Sequence, residues 1–209
     1  MKTSMTMKNL KYLFIASIFI FLSCSKEDRE EQNASMAALH EYLTPEVVNA
    51  MVEMGFNINT GEDPPNIEGK YLASPLLLLQ SSLENDSPPG TEFPDLEYIF
   101  TEQDNEDLSV FVESYEAATG TTGEGSGALI IGEGTFFSVF VKQELEDGNG
   151  HTYIGVEAIS GDLFDTGIID FQMANMMLDD RGNPNGNLIP NNTGRLFEDG
   201  DTKADKVVN

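Results

Sequence analysis

Few residues in this chain are arranged as catalytic chemistry requires. Ser126 stands in Gly125-Ser126-Gly127, but Glu124 occupies the position where a nucleophile elbow needs glycine. The glycine-rich stretch 120–134 lacks the lysine and the following helix of a phosphate loop, so it reads as turns and a bulged strand. The two histidines, His40 and His151, have no visible partner in sequence, and His151 reads as an exposed strand-end residue. Acid pairs such as Asp179-Asp180 arise by composition in so acidic a chain. Glycoside hydrolysis would need two carboxyl groups at a defined separation, which sequence does not display. Asp199-Gly200-Asp201-Thr202-Lys203-Ala204-Asp205 offers alternating carboxylates of the kind calcium accepts. Lys203 interrupts them and no bidentate glutamate follows, so this stretch reads as an acidic C-terminal tail. No enzyme, no cofactor and no metal site is expected.

Cys24, the only cysteine, carries the clearest chemistry. Lys2, Lys8 and Lys11 precede a nearly uninterrupted apolar run from Tyr12 to Leu22, and Leu22-Ser23-Cys24 closes it. A positive lead, a short apolar stretch and a small residue before the cut describe a secretory signal over residues 1–23. The run is about 11 residues, whereas a membrane-spanning helix needs about 20. The arrangement resembles the lipobox of bacterial lipoproteins, with Phe21 at the position where leucine is usual. That resemblance implies a diacylglyceryl group on Cys24 and a membrane partner reached through it. Two or more acyl chains give stable anchoring.

Residues 24–40 begin Cys24-Ser25-Lys26-Glu27-Asp28-Arg29-Glu30-Glu31, dense in charge and poor in apolar side chains. This reads as a flexible acidic tether. Ser25-Lys26-Glu27-Asp28 also resembles the acidic export signal of Bacteroidota surface lipoproteins, which implies an outer-membrane location with possible exposure at the cell surface. Residues 1–23 hold three lysines and no acid, so their removal takes the formal charge from −25 to −28. Such a charge repels nucleic acid and anionic lipid headgroups.

Residues 41–209 are enough for one domain with its own core. Thr44-Pro45-Glu46 supplies an N-cap, a first-turn proline and an acid at the positive helix end, and Val47, Val48, Met51 and Met54 follow at helical spacing before Gly55. This is one short helix, expected as a lid or plug. Beyond it glycine and proline separate segments rich in Val, Ile, Phe and Tyr. Strands are expected near 68–80, 95–103, 107–117, 126–132, 135–145, 151–160, 166–175 and 194–198. Ile169, Phe171 and Met173 alternate with Asp170, Gln172 and Ala174, as in a half-buried strand. Thr135 to Val141 is apolar on both faces and should be central. The turn-rich Glu146 to Gly150 and Gly132-Glu133-Gly134 read as hairpins. The expected fold class is all-β, an antiparallel eight-stranded barrel preceded by one helix, with a β-sandwich as the alternative.

Pro64-Pro65-Asn66-Ile67-Glu68-Gly69-Lys70-Tyr71, with the Pro45–Gly55 helix and the Gly161–Asp170 stretch, resembles a family of uncharacterised Bacteroidota lipoproteins. The resemblance implies a lipocalin-like (calycin-like) barrel, with Tyr71 where a lipocalin has tryptophan. The motif itself reads mainly as fold-defining. Two functions from different classes follow. One is a non-catalytic envelope lipoprotein that binds a small apolar or amphipathic ligand, or a glycan, with Tyr71, Phe137, Val139, Ile169, Phe171 and Met173 as candidate lining. The other is a structural lipoprotein with a filled barrel whose partner is another envelope protein. A cavity of a few hundred cubic ångströms favours the first, a filled barrel with an apolar patch the second.

Overall fold

A computed structural model of the chain describes residues 21–208, with side chains from Arg29 onward. The leader and lipidation readings therefore fall outside the described residues, the Cys24 side chain included. Two helices precede twelve strands: α1 (Phe21–Tyr42), α2 (Pro45–Glu53), β1 (Glu62–Asp63), β2 (Gly69–Ala73), β3 (Leu76–Ser81), β4 (Glu92–Phe93), β5 (Leu96–Asp104), β6 (Ser109–Glu116), β7 (Thr121–Glu133), β8 (Phe136–Glu146), β9 (Thr152–Phe164), β10 (Gly167–Asp179), β11 (Gly194–Asp199) and β12 (Lys203–Lys206).

The strands close into an antiparallel ring of eight: β2-β5-β6-β7-β8-β9-β10-β12 and back to β2. A barrel, not a sandwich, is therefore the architecture. Of the four remaining strands, β1 pairs in parallel with β7, and the other three lengthen members of the ring. β2 runs through Ser74-Pro75 into β3, β4 runs into β5, and β11 runs into β12. The pairs Ala73↔Leu96 and Leu76↔Phe93 keep one register across the Ser74-Pro75 break. With those three counted as single bent strands, the chain is an up-and-down meander whose first and last members pair. Such closure leaves no edge among the eight ring strands.

The last of these joints corrects the sequence expectation. Residues 199–206 are not a loose tail. The Asp199 side chain is fully buried and accepts hydrogen bonds from the Ser74 backbone N–H (2.7 Å, Oδ2) and the Asp201 N–H (3.0 Å, Oδ1), while Gly200 N–H donates to Pro75 O at 2.8 Å. The two bends are thus tied to each other. Burial pushes the Asp199 carboxyl up to about 6, against the lowering effect of the Asp201 and Ser74 backbone N–H groups. Beyond the joint Ala204 is small enough to pack under β10, where its carbonyl oxygen lies 2.2 Å from the place a Cβ on Gly167 would take.

Inward and outward faces alternate, and both are apolar where helices cover the wall. The interior core takes Tyr98 and Phe100 from β5, Val110 and Val112 from β6, Ile130 from β7, Phe137, Val139 and Val141 from β8, Ile159 from β9, and Phe171 from β10. A second core lies outside the ring, where Leu39, Val48, Met51 and Phe56 pack on Ile131, Phe140, Ala158, Ala174 and Leu196. Phe56 meets Phe140 edge-on at 6.0 Å. This explains why Thr135–Val141 is apolar on both faces. It also corrects the expected lid: α2 buries Val48 and Met51 against the outer wall rather than closing an end. α2 begins at Pro45 after an extended Thr44 and ends where Gly55 takes φ +102°, as the sequence reading expected.

Residues 24–40, expected as a flexible tether, lie within helix α1, and its last turns belong to the domain. Leu39 is fully buried, the Gly61 N–H donates to Ser35 Oγ (3.1 Å), and the Lys142 N–H donates to the Tyr42 hydroxyl (3.1 Å). Gly61 pairs in turn with Gly132 at the end of β7, whereas Lys142 lies further along β8. α1 therefore climbs the wall from the β7–β8 hairpin end toward the opposite end. Dense charge did not prevent order because the apolar side chains Leu39 and Leu43, at i and i+4, supply a stripe that the barrel buries.

Candidate functional site

The two barrel ends differ. The end holding the β7–β8 hairpin is plugged. Ile67 and Tyr71 are fully buried there, and the approach Pro64–Glu68 is laced to the β5–β6 turn. Gln103 Nε2 donates to Pro65 O (2.9 Å), Asn105 Nδ2 donates to Pro64 O (2.8 Å), and the Ile67 N–H donates to Gln103 Oε1 (2.9 Å). Gly69, at φ +145°, leaves room for the Lys206 side chain, whose Cε lies 3.2 Å from where a Cβ on Gly69 would stand, and the Lys206 ammonium lies 5.7 Å over the Tyr71 ring. The Pro-Pro-Asn-Ile-Glu-Gly-Lys-Tyr segment is thus a stopper for one end.

The opposite end is open and contains a cavity of about 590 Å³. Its walls include Leu96, Leu145, Met173, Met177 and Phe197 from the strands, with Leu188 and Ile189 from the long β10–β11 loop above them. That loop is braced from within: Asn183 Nδ2 donates to Leu188 O (2.9 Å) and the Leu188 N–H donates to Asn183 Oδ1 (3.1 Å). His151 Nε2 lies 3.3 Å from Asp180 O and joins this loop to the β8–β9 turn, so His151 is half-buried rather than an exposed strand end.

Polar groups gather at the floor. Glu157 on β9 shares the inward face with Tyr153, Gly155 and Ile159, and it is nearly inaccessible at 6 % exposure. The Tyr98 hydroxyl donates to Glu157 Oε2 at 3.1 Å. Gln143 on β8, 3 % exposed, turns its amide N–H toward Glu157 and Ser114 Oγ, the latter at 3.5 Å. Gln143 Oε1 is left without a hydrogen-bond partner, and so is Asp147 Oδ2 at the β8–β9 turn. Asp147 Oδ1 takes the N–H groups of Asn149 and His151, both at 2.9 Å. Room for this cluster comes from glycine. A Cβ on Gly123 would stand 2.6 Å from Ser114 Oγ and 2.8 Å from Gln143 Nε2. From below, Phe100 stacks on Tyr98 at 5.9 Å and Phe171 packs against it at 6.4 Å.

Burial raises the Glu157 carboxyl to about 7, against the lowering effect of Tyr98 and Gln143. Desolvation, followed by the nearby Glu157 charge, raises Tyr153 as well. Among the described residues Arg195 is the one cation lining the cavity, and it is already committed. It grips Asp86 with two hydrogen bonds of 2.7 and 2.8 Å and lies 5.1 Å over the Phe93 ring. That guanidinium holds the Asp86 carboxyl far below the usual carboxylate range.

Of the candidate lining residues, only Met173 reaches the cavity. Tyr71, Phe137, Val139 and Phe171 are packed in the sealed interior below it. Ile169 belongs to neither core. Asp170 takes φ +51° in a bulge that shifts the β9–β10 register between Ile169 and Gln172, so Ile168 enters the core in its place. Ser126 and His40 are exposed. Among the described residues no group of three or more His, Cys, Asp or Glu is placed to hold a metal ion, and no helix is long and apolar enough to cross a membrane. Glu157 was missed by sequence reading, although a lone acid in Tyr153–Gly161 at inward period-two spacing was the available signal.

These features define an antiparallel eight-stranded barrel, stoppered at one end and carrying a polar-floored cavity at the other. Compared with family models, with curated proteins and with solved structures, the chain matches none.

Proposed function

We propose that this protein is a non-catalytic, lipid-anchored envelope lipoprotein of lipocalin-like build that holds a small amphipathic molecule in its open barrel mouth. The observation that carries this reading is the cavity of about 590 Å³, within the range of small-molecule sites and floored by convergent polar side chains. Anchoring would occur through Cys24, with the protein at the outer membrane. The course of α1 supports the pairing of anchor and mouth. Residues before Ser35 approach from the stoppered end, so a lipid on Cys24 leaves the mouth facing away from the bilayer.

The test is native mass spectrometry of the full chain purified from envelope membranes, beside Met177→Trp, which fills the mouth. A small molecule retained by the wild type and lost from the variant supports binding. A clean mass for both, after incubation with cell extract, contradicts it. Alkynyl-palmitate labelling that disappears in Cys24→Ala supports the anchor, and absence of label on the wild type contradicts it.

A further inference from the structure

The chemistry of the floor narrows the ligand class, on the assumption that the mouth is a binding site as proposed above. Two buried donors there are already used: the Tyr98 hydroxyl serves Glu157, and the Gln143 amide N–H serves Ser114 and Glu157. Acceptor capacity is left over. Asp147, which lines the cavity and is more than nine-tenths buried, keeps its Oδ2 unpartnered, and Gln143 Oε1, behind the lining, is unpartnered too. A buried acceptor without a partner is costly, and a ligand N–H or O–H relieves that cost.

The charge balance points the same way. Glu157, Glu116 and Asp147 line the cavity, and Arg195, the single lining cation among the described residues, is held by Asp86 through two hydrogen bonds. A carboxylate or phosphate ligand would meet uncompensated acids of its own sign. A ligand with one positive, donor-rich head would meet carboxylates of the opposite sign. The walls above the floor are apolar, formed by Leu96, Met173, Met177, Leu188 and Phe197.

We infer that the mouth recognises an amphipathic primary ammonium compound, its head seated on Glu157 among the lining carboxylates and its apolar body along the methionine-lined wall. A primary ammonium has three donors and no acceptor, which matches ionised carboxylates, groups that only accept. Glu157 is already desolvated and oriented by Tyr98, so little further ordering accompanies binding.

The probe is dansylcadaverine, a primary amine on an apolar stem, with N-acetyl-dansylcadaverine as its uncharged counterpart. Dansyl fluorescence is titrated against the full chain in zwitterionic-lipid nanodiscs, with empty nanodiscs subtracted. The wild type should bind the amine at least tenfold more tightly than the acetylated compound. Glu157→Gln, nearly isosteric, should remove that preference while changing the affinity for the acetylated compound less than threefold. Equal binding of the two compounds by the wild type, with loss of both in Met177→Trp, overturns the ammonium inference and leaves the mouth as a ligand site. A preference for the amine that persists in Glu157→Gln also overturns it. Binding of neither compound overturns the ammonium inference, and the mass-spectrometric result then decides separately whether the mouth binds anything.

Discussion

Replacing Glu157 by Gln should stabilise the protein, and by an amount set by pH. The folded carboxyl titrates near 7 instead of 4.5 because burial disfavours its charged form. Between those two values the folded state binds more protons at this site than the unfolded state does, so stability falls as pH rises through the window. Below it the site contributes no penalty, and above it the penalty is constant. At about 1.4 kcal/mol per pKa unit, the full effect is about 3 kcal/mol. For a domain of this size that corresponds to roughly 6–12 °C in melting temperature. Glutamine cannot ionise and can still accept the Tyr98 hydrogen bond. The variant's melting temperature should therefore exceed that of the wild type by an increment that grows from pH 4 to pH 8. Asp199, also raised, contributes a slope of the same sign, but it is common to both proteins and cancels in the difference. Differential scanning calorimetry at pH 4, 6 and 8 measures the increment. An increment equal at pH 4 and pH 8 would refute the burial argument.

The register of β8 makes a sharper contrast between neighbours. Phe137→Ala and Phe140→Ala, one inside the ring and one beneath the helices, should each cost about 3–5 kcal/mol in urea unfolding, whereas Phe136→Ala, half exposed at a hairpin, should cost less than about 0.5 kcal/mol. Arg195→Ala should cost about 2–3 kcal/mol at pH 7, because it leaves Asp86 nearly buried without its partner. The Asp86 carboxyl is held low by Arg195, so this loss should shrink as pH falls below about 4, opposite in sign to the Glu157 effect. A chain ending at Thr202 lacks β12 and cannot join β2 to β10. Its denaturant midpoint should fall sharply, with new amide exchange at Gly167–Ile169 and Tyr71–Leu72, and unchanged exchange there would contradict ring closure by this strand.

What was legible in the sequence was mostly local. The Phe171–Met173 alternation in β10 and the turn chemistry at Glu146–Gly150 place a strand and a hairpin because each signal lies within a few residues. Barrel closure is not local. Nothing in Lys203-Ala204-Asp205-Lys206 announces a strand, since its partners β2 and β10 supply the hydrogen bonds and a glycine leaves the space. The outer core was hidden for a similar reason. Leu39 in the charged helix and Leu43 just past its end are isolated apolar residues in sequence, and only the sheet beneath them gives that pair its meaning. The candidate ligand residues were chosen as the most apolar strand positions, and those fill the sealed interior. The cavity needs the opposite, a buried acid among apolar neighbours, and one glutamate in a chain with so many acids is easily passed over.

Methyl resonances offer the most direct test of the central claim, that the open barrel end is the binding site. Met173 and Met177 line the cavity, while Met51 and Met54 lie in the outer core under the helices. With methionine methyl groups labelled in the full chain, dansylcadaverine should shift the resonances of Met173 and Met177 while leaving those of Met51 and Met54 unmoved. Shifts confined to Met51 and Met54, or no saturable shift at any of these methyl groups, would contradict it.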